Sequence, residues 1–167
     1  YGSTEVEPIA YIESKEMLSV KPPQGEPNIT KVGVNVGRID KNLKYKFIEI
    51  NKDSIKNAID ITALAVKDGE VGELVVAGEH VCGEYYKNEE AFVRTKIKDK
   101  EGVIWHRTGD LGRLDNNGYL WIVGRIHNVI RRNGEYFFPV RPEIILKDLP
   151  FVSNAALTAS TFLSRFA

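Results

Sequence analysis

Short segments in which apolar and polar residues alternate, separated by turn residues, run through most of the chain. Residues 32–38, 44–50 and 68–78 each contain such a segment, and Asp115-Asn116-Asn117-Gly118 is a strong hairpin turn between two more. Closely spaced strands of this kind favour a meander, and therefore a small barrel or sandwich rather than a doubly wound parallel sheet. The sequence predicts a mostly β fold, either a small, distorted β-barrel or a sandwich.

A different order of elements begins near residue 126. A hairpin with its turn at Asn133-Gly134 is followed by a predicted helix over about 141–149, ended by Pro150, and by a predicted strand over 152–158. This order is typical of a small α+β unit. We therefore predict two domains, a β-barrel subdomain over 1–125 and a hinge with the beginning of a small α+β domain over 126–167. Residues 51–60 are predicted to form a turn and a short polar helix at the surface.

Composition limits what the chain can bind. Lysine and arginine number 23 against 23 acidic residues, so the formal net charge is zero and no global field attracts nucleic acid or an anionic membrane. No apolar run approaches the roughly 20 residues of a transmembrane helix. The single cysteine excludes an internal disulfide and a thiol metal cluster, which favours a reducing, cytoplasmic compartment. An anionic ligand would have to be bound locally.

Two short polar motifs could form such a local site. The segment Tyr1-Gly2-Ser3-Thr4-Glu5 combines an aromatic ring that can stack on a base, hydroxyls that can meet phosphate oxygens, and a carboxylate suited to Mg²⁺. The segment Thr108-Gly109-Asp110 is predicted to be a glycine bend at a corner between two strands, where an acceptor-only carboxylate suits a sugar diol. The residues alone leave a polar terminus and an ordinary turn open as alternatives.

Four motifs, taken in their order along the chain, indicate a family resemblance. The motifs are Tyr1-Gly2-Ser3-Thr4-Glu5, Gly72-Glu73-Leu74 with the later Gly83-Glu84-Tyr85-Tyr86, Arg107-Thr108-Gly109-Asp110, and Gly118 to Arg125. Together they resemble the adenylate-forming superfamily, which contains acyl- and aryl-CoA synthetases, peptide-synthetase adenylation domains and luciferases. The resemblance implies an ATP-dependent, AMP-forming enzyme that converts a carboxylate and ATP into an acyl-adenylate and pyrophosphate.

The resemblance also implies roles for individual residues. Tyr1 would stack on adenine, Gly2 would belong to the same nucleotide loop, Thr4 would contact the α-phosphate, Glu5 would ligate Mg²⁺, Asp110 would hold the ribose hydroxyls, and Arg125 would reach the ribose or phosphate from the hinge. Thr4, Glu5 and Arg125 would then be catalytic. ATP and Mg²⁺ are the expected cofactors, and coenzyme A is a candidate acyl acceptor.

Two segments narrow the resemblance. Residues 11–16 and 90–97 are similar to the β-lactone synthetases of long-chain olefin biosynthesis and to related fatty-acid ligase-like proteins. The substrate implied is a fatty or β-hydroxy fatty acid, and both a lactone and a coenzyme A thioester remain open as products. A noncatalytic β-barrel module that binds a ligand is the alternative from another class of function.

The chain also departs from the family pattern. His127 stands at the hinge position where the family usually has Asp or Lys. The phosphate loop of the family would lie before residue 1 and its catalytic lysine beyond residue 167, so we expect a C-terminal fragment that is inactive alone and depends on the remainder of its parent chain. His80 and His106 lack further ligands at metal-binding spacing and are expected to be structural.

Overall fold

An antiparallel sheet dominates the protein. The computed structural model describes residues 1–55 and 59–160, and in these ranges a seven-stranded sheet and a separate two-stranded hairpin account for the strands. The strands are β1 (Ala10–Tyr11), β2 (Val34–Ile39), β3 (Lys44–Ile48), β4 (Gly72–Ala77), β5 (Lys96–Lys98), β6 (Ile104–Leu114), β7 (Leu120–Arg125), β8 (Ile130–Arg132) and β9 (Glu135–Phe137).

The helices in the described ranges are short. They are α1 (Ser14–Met17), α2 (Glu89–Thr95) and α3 (Val140–Lys147), with 3₁₀ turns at Ile29–Lys31 and Ile61–Leu64. Asn88 caps α2, because its side-chain oxygen accepts a hydrogen bond from the Ala91 amide at 3.1 Å. In the described ranges, none of the helices is long and apolar enough to cross a membrane.

The sheet is an open, curled half-barrel. Its strand order is β1-β2-β7-β6-β4-β3, each neighbouring pair is antiparallel, and β5 pairs with the first part of β6. The prediction of a mostly β fold is confirmed. The long strand β6 has three strand partners and is therefore the element through which the parts of the sheet are joined.

The core lies on both faces of β4. All six residues of this strand are buried, with Leu74 and Val76 in one apolar cluster and Val75 and Ala77 in another. This alternation follows from the two-residue period of a strand. Complete burial of a Leu or Val side chain contributes about 1.5–3 kcal/mol, so β4 fixes the position of its neighbour β6 firmly.

A third apolar cluster joins the half-barrel to the residues that follow it. Leu111 and Val123 from the sheet pack with Ile126, Val129 and Phe138. Residues on both sides of position 125 thus share one core. The division into domains at that position remains a prediction, and residues 161–167 of the second predicted domain lie outside the described residues.

The predicted strand over 152–158 is wrong. These residues are irregular, and the Leu157 amide donates to Oε1 of Glu143 in α3 at 2.9 Å instead of to a neighbouring strand. The nearby hairpin β8–β9 pairs only with itself in the described part of the chain, so apolar alternation here has no ladder to join. Within the segment 51–60, residues 56–58 lie outside the described residues, and with them the predicted polar helix.

Candidate functional site

The segment Thr108-Gly109-Asp110 is a bulge within one strand. Arg107 of β6 faces Val75 of β4, and Leu111 faces Glu73, so residues 108–110 lie against the single residue 74. Gly109 adopts a φ of 71°, which a glycine takes without steric cost. The predicted corner between two strands is therefore wrong, because β6 keeps its strand partners on both sides of the bulge.

Hydrogen bonds hold the bulge in place. The Thr108 hydroxyl donates to the Leu74 carbonyl at 2.8 Å and accepts from the Asp110 amide at 3.0 Å. On the other side, the Ile126 amide donates to the Gly109 carbonyl at 2.8 Å. The backbone that carries the Asp110 carboxylate is thus fixed from both β4 and the end of β7.

Asp110, Arg125 and Tyr1 are in direct contact. Asp110 and Arg125 are cross-strand partners, with Arg125 Nε 3.3 Å from Asp110 Oδ1. The Tyr1 hydroxyl donates to Asp110 Oδ2 at 2.6 Å. Burial, and then the charge and hydrogen bond of Asp110, raise the pKa of Tyr1, so this hydroxyl stays protonated. A carboxylate has about four lone-pair directions, so these two partners leave acceptor capacity for the hydroxyls of a sugar.

The side chains of Arg125 and Asp110 differ in their exposure to solvent. The Arg125 side chain is 64% exposed and the Asp110 side chain 17% exposed. The guanidinium also donates from Nη2 to the Thr108 carbonyl at 3.3 Å. The guanidinium is thus held on one side by Asp110 and Thr108, while most of the side chain stays open to solvent and accessible to an anionic ligand.

The N-terminal motif forms a tight turn anchored to the sheet. Ser3 and Val6 exchange backbone hydrogen bonds at 2.9 and 3.1 Å, which places Thr4 and Glu5 at the tip. A Cβ atom on Gly2 would lie only 3.0 Å from the Val6 carbonyl oxygen, so this turn has little room for a side chain there. Thr4 is exposed and Glu5 is half-buried.

Glu5 has properties suited to a metal held on a nucleotide. Its Oε1 accepts from the Tyr85 hydroxyl at 3.2 Å. Burial by itself raises the pKa of Glu5, but hydrogen bonding, above all from its own backbone amide, lowers it overall, so the carboxylate is ionised at neutral pH. Mg²⁺ is usually bound by one or two carboxylates together with substrate phosphates. No cluster of three or more potential metal ligands occurs among the described residues.

A small basic cleft adjoins the bulge. It encloses about 170 Å³, and its lining includes Lys52, Arg94, Thr108, Gly109, Arg125 and His127. The sequence does not identify Lys52 and Arg94 as site residues, because nothing in their local sequence distinguishes them from other exposed charges. Only the folded structure brings Arg94 of α2 and Arg125 of β7 into the lining of one cleft.

Comparisons with known proteins identify the family of the chain. No protein-family model matches it. An acyl-CoA ligase of Ajellomyces capsulatus is 38% identical over 96 residues, which are 58% of this chain and 16% of the ligase. The olefin β-lactone synthetase of Xanthomonas campestris is 31% identical over 159 residues, 86% of this chain and 27% of the synthetase. The O-succinylbenzoate coenzyme A synthetase of Bacillus subtilis, solved with ATP and magnesium ion, superposes with a TM-score of 0.55 and 26% identity over 75% of this chain and 23% of that structure.

The chain belongs to the adenylate-forming superfamily. The predicted resemblance is confirmed, and the relatives are AMP-forming ligases and synthetases. The chain spans about a sixth to a quarter of the length of the two curated relatives. The relatives include an acyl-CoA ligase and a β-lactone synthetase, so the chain resembles enzymes with both kinds of product.

Proposed function

We propose that the protein containing this chain activates a carboxylic acid with ATP, forming an acyl-adenylate and pyrophosphate. The observation that carries the proposal is the partly exposed group of Asp110, Arg125 and Tyr1 at the β6 bulge. One carboxylate with spare acceptor capacity, one open guanidinium and one aromatic ring are the groups needed for a ribose, a phosphate and a base.

The chemistry requires charge stabilisation more than a protein nucleophile. An oxygen of the substrate carboxylate attacks the α-phosphorus, the bond from that phosphorus to the bridging oxygen breaks, and pyrophosphate leaves with the electron pair. Asp110 holds the ribose, Thr4 contacts the α-phosphate, and Arg125 faces the negative charge that grows there. Glu5 would hold Mg²⁺, which would neutralise phosphate charge.

A fatty or β-hydroxy fatty acid is the proposed substrate, with a β-lactone as the preferred product. The match to the β-lactone synthetase extends over 86% of the chain, against 58% for the acyl-CoA ligase, and this supports the preference. In lactone formation the substrate's own β-hydroxyl oxygen attacks the acyl carbon, the hydroxyl proton is lost, and AMP leaves. In ligation the thiol of coenzyme A takes the place of that hydroxyl.

Isotope exchange tests the proposed activity. The full-length protein should catalyse ATP–pyrophosphate exchange that depends on added carboxylic acid, with reactions lacking the acid as the control. Absence of exchange with every fatty and hydroxy acid would favour the noncatalytic binding module instead.

Product analysis separates lactone formation from ligation. With a β-hydroxy fatty acid and ATP, the lactone should form at the same rate with and without coenzyme A. A thioester that appears only when coenzyme A is present would identify a ligase.

A further inference from the structure

A buried lysine lies behind the turn that carries Glu5. Lys96 is the first residue of β5 and is 1% exposed. Burying an ammonium group is costly unless it is paired and hydrogen-bonded. Burial lowers the pKa of Lys96, while the nearby charge of Glu5 acts in the opposite direction. A lysine in this position calls for a reason beyond packing.

Three groups surround the Lys96 ammonium. Its Nζ donates to the Cys82 carbonyl and lies 3.2 Å from His106 Nδ1. It is also 5.2 Å from the centre of the Tyr85 ring, within the range of a cation–π interaction. His106 is 3% exposed, so its Nδ1 meets the lysine away from water. The lysine thus lies over one face of the tyrosine ring, and the histidine contacts the lysine.

The hydroxyl of the same tyrosine contacts Glu5. Tyr85 lies 3.2 Å from Glu5 Oε1 and 3.0 Å from the Thr95 hydroxyl oxygen, and the Thr95 hydroxyl also lies 2.7 Å from the Ala91 carbonyl. The hydroxyls of Tyr85 and Thr95 supply only two protons for these three contacts. Because an ionised carboxylate is the strongest acceptor among them, the tyrosine proton is directed to Glu5 and the threonine proton to one of the other two.

We propose that Tyr85, backed by Lys96 and His106, is a positioning residue that orients the Glu5 carboxylate toward a nucleotide-bound divalent cation. The inference rests on the proposed function, which makes Glu5 the metal ligand. The tyrosine does not touch the metal or the substrate. It acts through Glu5 by restricting the carboxylate to one orientation. Loss of a residue that orients a metal ligand commonly lowers metal affinity by about 10–100-fold.

The test uses the full-length protein and two tyrosine variants. Tyr85→Phe keeps the ring over Lys96 and removes only the hydroxyl. Tyr86→Phe is the matched control, because Tyr86 is the adjacent residue and is 87% exposed. Two quantities are measured: the Mg²⁺ concentration for half-maximal ATP–pyrophosphate exchange, and the affinity of the protein with a nonhydrolysable ATP analogue for Mn²⁺ by electron paramagnetic resonance.

Tyr85→Phe should weaken apparent Mg²⁺ and Mn²⁺ binding about tenfold. At saturating Mg²⁺ the variant should recover most of its maximal exchange rate, with the KM for the carboxylic acid unchanged. Tyr86→Phe should behave as wild type. In a Glu5→Gln background, adding Tyr85→Phe should cause no further loss of Mn²⁺ affinity, because the group through which the tyrosine acts is already altered. Lys96→Met should shift Mg²⁺ dependence in the same direction, and where that variant does not fold, Tyr85→Phe alone carries the test.

Two failures are distinguishable. If wild-type protein exchanges pyrophosphate and Tyr85→Phe keeps the wild-type Mg²⁺ and Mn²⁺ constants, the positioning role is overturned while the proposed function stands. The positioning role is also overturned if Tyr85→Phe lowers thermal stability but leaves both metal constants unchanged. If wild-type protein neither exchanges pyrophosphate nor binds Mn²⁺ with the analogue, the proposed function fails and the positioning role fails with it.

Discussion

Two arginine–carboxylate pairs flank the bulge at Gly109, and they differ in almost every physical respect. Arg107 and Glu73 are 2.6 Å apart with side-chain exposures of 6% and 1%. Arg125 and Asp110 are 3.3 Å apart with exposures of 64% and 17%. The first pair connects β6 to β4 and the second connects β6 to β7.

The number of partners explains the difference in role. Arg107 also donates to the carbonyl oxygens of Asn51 and Asp53, so its fork of donors is occupied by protein. Burial raises the pKa of Glu73 even though Arg107 lowers it, which shows how strongly this carboxylate is removed from water. Because this pair is buried and its hydrogen-bonding groups are occupied by protein, its role is to stabilise the fold. The Asp110–Arg125 pair keeps unused donors and acceptors at the surface, as a ligand site requires.

The largest expected effect comes from breaking the buried pair. Arg107→Met leaves the Glu73 carboxylate buried without its cation, and should lower the free energy of unfolding by about 3–5 kcal/mol. Arg125→Met, the matched change in the exposed pair, should cost roughly 0–1 kcal/mol. Chemical denaturation of both variants measures the contrast, and equal losses would remove the distinction between the pairs. The double variant Glu73→Leu with Arg107→Met should recover much of the loss, since it leaves no unpaired charge.

A second effect concerns pH and the residue next to Arg107. Burial, and then the charge of Lys96, lower the pKa of His106 from 6.5 to about 4. Between these values the unfolded chain binds a proton that the folded protein does not, so stability falls as the pH falls from 6.5 toward 4. The loss from this histidine should reach about 3 kcal/mol.

The His106 contribution can be isolated by difference. Unfolding free energies of wild type and His106→Gln should diverge across this pH interval, whereas His80→Gln, a change at an exposed histidine, should follow the wild-type curve. Parallel curves for wild type and His106→Gln would contradict the account of a neutral, buried histidine.

The smallest expected effect is at the bulge between the pairs. A Cβ on Gly109 would lie 3.4 Å from Nη2 of Arg125, so space permits it, but the φ of 71° disfavours a side chain. Gly109→Ala should therefore cost about 1 kcal/mol of stability. Thermal unfolding measures this cost. A loss as large as that of Arg107→Met would mean that the bulge is held by more than its backbone conformation.

The sequence predicted much of the fold and the family, and less of the local geometry. The hairpin turn at Asp115–Gly118 was predictable because short-range hydrogen bonds determine it. At Gly109 the sequence predicts a corner, because local sequence does not reveal that β4 pairs with β6 on both sides of the bulge. Likewise, Tyr85 meets Glu5 and Lys96 only through tertiary folding. The strand predicted over 152–158 has no strand to pair with in the described part of the chain.

The affinity of an Asp110→Asn variant for ATP tests the central claim most directly. In the full-length protein, the substitution should weaken ATP binding about tenfold, since an ionised acceptor for the ribose hydroxyls becomes neutral, while the melting temperature stays within a few degrees. Asp115→Asn is the structural control, because Asp115 accepts from the Trp121 indole at 2.9 Å; that variant should lose stability and keep its ATP affinity. An unchanged dissociation constant for ATP in Asp110→Asn would contradict the assignment of the bulge as the ribose site.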